Sequence, residues 1–125
     1  MGKKSKHPHR NLDAWKKSMD LVETIYQIST YFPADERYGL SSQIKRAAIS
    51  VPSNIAEGAG RRTNAEFINF LSIAIGSLSE LDTQIELAKR LKFIDDNTYI
   101  SANDQIDSCK GLIFGLRRYI MNQKE

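Results

Sequence analysis

The chain has 125 residues, a formal net charge of +3 and 41% apolar residues, enough for one domain with its own core. Three prolines, seven glycines and no regularly spaced short strands exclude a loop-rich all-β protein. The single cysteine, Cys109, rules out an internal disulfide, no apolar run reaches membrane-spanning length, and residues 12–15 are no signal-peptide core. The expectation is a cytoplasmic chain with no membrane partner.

Charge is uneven. Lys3, Lys4, Lys6 and Arg10 make residues 1–10 a basic, flexible tail ahead of a helical bundle over residues 11–125. Lys16 and Lys17 extend the basic run against Asp13 alone, and Arg117, Arg118 and Lys124 crowd the other terminus. Such clusters serve nucleic acid binding or plain solubility.

Apolar spacing predicts four helices. The first covers about residues 12–31, with Leu12, Trp15, Met19, Val22, Ile25 and Tyr26 on its core face. Phe32-Pro33 ends it, since a residue before proline leaves helical geometry. A connector with one short helical turn follows. The second helix covers about residues 41–59, with Ile44, Ala47, Ala48, Val51, Ile55 and Ala59 inward. Pro52 removes one backbone bond and predicts a kink, because the stripe stays in phase beyond it. Gly58 and Gly60 are expected to supply a left-handed stop.

Thr63-Asn64-Ala65-Glu66 is a capping box that opens a third helix running to about residue 91. Its stripe is Phe67, Phe70, Leu71, Ala74, Leu78, Leu81, Ile85 and Ala88. The fourth starts near Asp95 or Asp96 and carries Tyr99, Ile106, Cys109, Leu112, Ile113, Leu116 and Ile120. Short connections favour antiparallel neighbours, so the fold is an all-α, up-down four-helix bundle. On the third helix Ile68 and Ile75 lie about 90° from the stripe's centre and Ile73 lies off its other side. An apolar flank of this kind points to a neighbouring subunit, although a wide buried face, or isoleucines standing singly in solvent, also explains it.

Enzyme chemistry is poorly provided for. Both histidines, His7 and His9, sit in the tail, which leaves no imidazole base on the scaffold and no specific metal site. Cys109 falls on an apolar face and reads as a small core hydrophobe. Gly58-Ala59-Gly60 lacks the strand and third glycine of a dinucleotide loop. Asn54 and Glu57 share a helical face just after Pro52 and are expected to satisfy backbone groups freed by it or by the following turn. No cofactor and no catalytic set is implied.

Basic pairs recur: Lys16-Lys17, Lys45-Arg46, Arg61-Arg62, Lys89-Arg90 and Arg117-Arg118. A helix C-terminus accounts for Lys89, Arg90, Arg117 and Arg118 through its dipole. It does not account for Arg61-Arg62 at a helix start, nor for Lys16-Lys17. Repeated around a ring of subunits, each pair becomes a charged band suited to phosphates. Tyr31, Tyr38 and Tyr99 are candidates for base stacking, with core or interface packing as their commoner fate. Gly76, Gly111 and Gly115 are expected at close helix approaches.

Five passages then carry a resemblance: Phe32-Pro33 with Tyr38-Gly39-Leu40; Gln43-Ile44-Lys45-Arg46-Ala47-Ala48; Ser50-Val51-Pro52-Ser53-Asn54-Ile55-Ala56-Glu57-Gly58; Phe67-Ile68-Asn69-Phe70-Leu71; and Ala74-Ile75-Gly76-Ser77-Leu78-Ser79-Glu80-Leu81-Asp82-Thr83. In this order and spacing the chain resembles the four-helix bundle proteins of 23S rRNA intervening sequences, also labelled S23 ribosomal proteins. The resemblance implies a homopentameric barrel, no catalytic residues, and binding of RNA or DNA. It also implies kinship with the accessory variability proteins of diversity-generating retroelements, which engage a reverse transcriptase. A protein-interaction module is therefore the alternative function.

Overall fold

The computed structural model describes residues 6–123, so Lys3, Lys4 and Lys124 lie outside the described residues. Four α-helices follow one another: α1 (Asp13–Ser29), α2 (Leu40–Ala59), α3 (Asn64–Arg90) and α4 (Asp96–Met121). Consecutive helices pack side by side and α4 returns against α1, while the backbones of α2 and α4 stay apart, so these two helices lie diagonally. The result is the up-down four-helix bundle. A 3-10 turn, Ala34–Glu36, fills the α1–α2 connection. A second, Pro8–Asn11, packs on α1 and α2, with the His9 ring edge-on to Trp15 at 5.0 Å.

The helix ends follow their local chemistry. Thr63 caps α3 by accepting from the Glu66 amide at 3.1 Å, and Asp95 caps α4 by accepting from the Thr98 amide at 2.8 Å. The Glu66 carboxylate also approaches Arg61, with 4.0 Å between Oε2 and Nε. At the end of α3 the amides of Lys92 and Phe93 bond back to Lys89 and Ala88 in a Schellman arrangement, with Lys92 itself at φ 64°.

The left-handed glycine stop after α2 is not found. Among the described residues no glycine has positive φ, and Gly60 sits at φ −88°, ψ −2°. Gly58 serves a different purpose. A Cβ there would stand 2.8 Å from both Phe67 Cδ1 and Phe70 Cβ, so only glycine lets α2 and α3 converge into their short turn. α2 runs unbroken across buried Pro52.

The buried stripes of α2 and α3 match expectation at Ile44, Ala47, Ala48, Val51 and Ile55, and at Leu71, Ala74, Leu78, Leu81, Ile85 and Ala88. On α4, Ile106, Cys109 and Ile113 are buried, joined by Ala102. The face assigned to α1 is corrected in part: Ile25 is buried as expected and Leu12, Trp15 and Val22 pack partly against the core, but Met19 and Tyr26 do not. Ala14, Ser18, Leu21, Ile25 and Ile28 point inward, whereas Met19 and Tyr26 are exposed and Trp15 and Val22 half-buried. α1 carries two apolar stripes about one residue, or ~100°, apart. The smaller one wins because Ala14 and Ser18 allow close packing, and the Ser18 hydroxyl donates to the Trp15 carbonyl at 2.8 Å instead of remaining unpaired.

The interior glycines of α3 and α4 also depart from expectation. A Cβ on Gly76, Gly111 or Gly115 would meet nothing within 4 Å, so none marks a helix approach inside the protomer. Each still costs about 1 kcal/mol of helix stability relative to alanine.

Replacing Gly58 with alanine is expected to lower unfolding stability by about 1–3 kcal/mol, through the clash with Phe67 and Phe70. Gly60→Ala, whose Cβ would have its nearest contact at 3.7 Å, should instead raise stability by about 0.4–1 kcal/mol. Urea denaturation of both variants checks the opposite signs.

Candidate nucleic-acid interface

An antiparallel bundle brings together residues far apart in sequence. The start of α1, the α2–α3 turn and the end of α4 all lie at one end, which therefore collects Lys16-Lys17, Arg61-Arg62 and Arg117-Arg118, with Lys6 and Arg10 beside them. Asp13, Asp20, Glu57 and Glu66 are the described acidic residues nearest them, Asp20 lining the same hollow as Lys17. The other end carries Arg37, Lys89, Arg90 and Lys92 against Asp35, Glu36, Glu86, Asp95 and Asp96. Lys45-Arg46 lie in the half of α2 nearer that mixed end.

The basic side chains are not equally available. Arg61 is clamped by Glu57 at 2.6 Å, approaches Glu66 at 4.0 Å and lies 4.9 Å over the Phe70 ring. Arg62 and Arg118 are exposed and form no ion pair among the described residues, and the same holds for Lys16, Lys17 and Arg46. Arg117 donates to Ser72 Oγ at 3.2 Å and rests on Phe114. Lys45 sits over Tyr26 and Lys89 over Tyr99. Arg90 pairs with Glu86 at 2.9 Å. That bond, followed by the one from Tyr99, holds the Glu86 carboxyl below its ordinary value, and the Glu86 bond raises the Tyr99 phenol above its own.

The tyrosines proposed for stacking do not join the basic end. Tyr31 and Tyr38 are exposed near the mixed end, and Tyr99 is tied to Glu86 at 3.1 Å. Sequence reasoning overlooked Tyr119, which is 61% exposed and next to Arg118. The signal was present in the basic-aromatic run Arg117-Arg118-Tyr119. The start of α3 is a poor phosphate cradle. Thr63 occupies the Glu66 amide, and the Glu57 and Glu66 carboxylates flank the turn.

Asn54 and Glu57 separate in role. Asn54 Nδ2 donates to the Ser50 carbonyl at 2.8 Å and to Ser50 Oγ at 2.9 Å, and Ser50 Oγ meets Ser77 Oγ of α3 at 2.7 Å. The amide thus serves the Ser50 carbonyl, not the Ala48 carbonyl that Pro52 frees, and stitches the α2–α3 seam. Glu57 turns outward to Arg61 rather than to the backbone. Of the flanking isoleucines, Ile75 packs against the core, Ile68 is half-buried and Ile73 is 51% exposed.

No group of three or more His, Cys, Asp or Glu side chains is placed to hold a metal among the described residues. No described helix is long and apolar enough to cross a membrane. Cys109 lies beneath a polar hollow of about 350 Å³ between α1 and α4, lined by Lys17, Asp20, Thr24, Asp104, Gln105 and Ser108. Burial pushes its thiol up to about 11. At pH 8 the native thiol should therefore react with a disulfide reagent at least ~100-fold more slowly than a free cysteine, with rapid labelling after unfolding. Stopped-flow thiol titration with and without denaturant checks this.

Similarity to known proteins fits the bundle. A crystal structure of a protein of unknown function from the S23 ribosomal protein family of Bacteroides thetaiotaomicron superposes with a TM-score of 0.77 at 26% identity, covering 83% of this chain and 97% of that one. No functionally curated protein matches. The 23S rRNA-intervening sequence protein profile matches residues 10–115, most of the chain, and the protein belongs to that family.

Proposed function

We propose that this protein is a non-enzymatic, oligomeric nucleic-acid-binding bundle whose basic end holds structured RNA. One observation carries the reading: Lys16, Lys17, Arg62 and Arg118, exposed and with no ion pair among the described residues, lie with Tyr119 at one end of the bundle. Cations there neutralise phosphates, and an exposed aromatic ring takes an unstacked base. A homopentameric barrel, as the family resemblance implies, would set five such ends in a common plane. Each protomer's modest charge would then act as a multivalent surface.

A second reading, a scaffold that recruits a protein such as a reverse transcriptase, is favoured by one feature. Trp15, Met19, Val22, Ile49, Pro52 and Ala56 line an open apolar furrow of about 290 Å³ between α1 and α2. A stoichiometric partner that survives nuclease treatment would favour this reading over RNA.

Titration against a folded rRNA fragment at several salt concentrations tests the first reading. Affinity should fall steeply with salt, and Arg62→Ala with Arg118→Ala should lower the log–log slope by about 1 for each phosphate no longer neutralised. Lys89→Ala with Arg90→Ala should leave it unchanged. Equal effects of the two pairs would remove the basic end from the proposal.

A further inference from the structure

The α1–α4 seam differs from the others in what faces across it. Lys17, Asp20 and Thr24, spaced three and four apart, share the flank of α1 turned to α4, and Gln105 and Ser108 share the flank of α4 turned back. They enclose the hollow of about 350 Å³ whose floor is Cys109, 1% exposed. That size falls within the ~300–1,000 Å³ range of small-ligand pockets. Thr24 Oγ1 donates across it to Gln105 Oε1 at 2.9 Å, so the Gln105 amide nitrogen keeps its protons for another acceptor. The side chains of Lys17, Asp20, Asp104 and Ser108 form no hydrogen bond or ion pair among the described residues. Burial raises the Cys109 thiol most, and beyond it Lys17 lowers and Asp20 raises the same pKa, so both charges face the floor.

We propose that this hollow seats a guanine base, read along its hydrogen-bonding edge by Lys17, Asp20 and Gln105. The inference rests on the RNA reading above and gives it a base-specific site. An unpaired guanosine of an RNA strand and a free guanine nucleotide share this chemistry.

Order and charge select guanine. The Thr24–Gln105 bond fixes the antiparallel register, so Asp20 stands level with Cys109 and Lys17 with Leu112, to within about one helical turn. From the basic end inward the hollow therefore offers an ammonium donor, a carboxylate and an amide donor. The guanine edge presents O6, N1–H, N2–H and N3 in sequence: an acceptor, two adjacent donors, an acceptor. Lys17 donates to O6, the Asp20 carboxylate accepts from N1–H and N2–H together, and the Gln105 amide donates to N3. The other RNA bases mismatch. Adenine turns its N1 lone pair to the carboxylate, cytosine turns N3 and O2, and uracil has a single N–H between two acceptors. A phosphate is rejected as well, since Lys17 is opposed by Asp20 and by exposed Asp104 on the α4 rim. An uncharged ring is not, and its face rests on the Cys109 sulfur, a favourable contact. Tyr119 stands on the same flank of α4 about three turns beyond Ser108, so a strand seated in the hollow continues to the basic end.

RNA hairpins of one stem, differing in a single unpaired loop base, test the proposal by fluorescence anisotropy, with GMP and AMP titrated in parallel by calorimetry. Guanine in the loop should bind about tenfold more tightly than adenine, with inosine, which lacks the N2 amino group, in between. Asp20→Asn should abolish that preference. Asp20 is exposed, so the variant's circular dichroism should match wild type. Arg62→Ala with Arg118→Ala should weaken every hairpin alike and keep the preference. Guanine preference in the hairpins without measurable GMP binding assigns the hollow to RNA. Selective GMP binding that Asp20→Asn removes, without guanine preference in the hairpins, assigns it to a free nucleotide, and if no hairpin bound at all the RNA reading alone would fall. Salt-dependent hairpin binding with no preference for guanine, and no difference between GMP and AMP, would overturn this inference and leave the basic end standing. Binding of neither hairpin nor GMP would overturn both. A preference that survived Asp20→Asn would overturn the assignment to this hollow.

Discussion

Everything in this bundle hangs on how closely α2 and α3 approach. Their turn is short, so the helices must converge within van der Waals contact at once. Gly58 permits that because Phe67 and Phe70 occupy the space a side chain would need. Along the next two turns, the Asn54 amide and the Ser50–Ser77 contact continue the seam with polar groups that satisfy one another. Pro52 sits between these devices, buried, without breaking the helix. The α2–α3 pair thus forms a rigid half against which α1 and α4 pack. The looser α1–α4 side leaves the polar hollow above Cys109.

That rigidity decides which charges stay free. Because Arg61 closes the α2–α3 turn against Glu57 and lies over Phe70, its guanidinium belongs largely to the fold. Arg62, one residue on, has no such duty. The same division separates Arg117, bound to Ser72, from Arg118. In these two pairs one cation is structural and the other available, whereas Lys16 and Lys17 are both exposed with no ion pair among the described residues. Clustering at one end follows from antiparallel connectivity, which places alternate helix termini side by side.

The apolar surface obeys a comparable economy. α1 has more apolar side chains than the core accepts, and the excess lies along α2 as a furrow. α4 gives up side chains at Gly111 and Gly115, which weakens it as an isolated helix.

Read alone, the sequence determined a great deal: four helices, their order, the caps at Thr63 and Asp95, and the buried lines of α2, α3 and α4. These are local properties, set by periodicity and by the hydrogen-bonding needs of helix ends. It did not determine which of two apolar stripes on α1 is buried, because both share the helical period and only the partner helices select between them. Nor did it show why Gly58 is glycine. The reason is two phenylalanines on the next helix, not a backbone angle at the turn. The basic pairs were visible as pairs, but their union at one end, the capture of Arg61 and the exposure of Tyr119 beside Arg118 are long-range facts. Only the tertiary structure decided them, since they depend on which chain segments meet across the bundle.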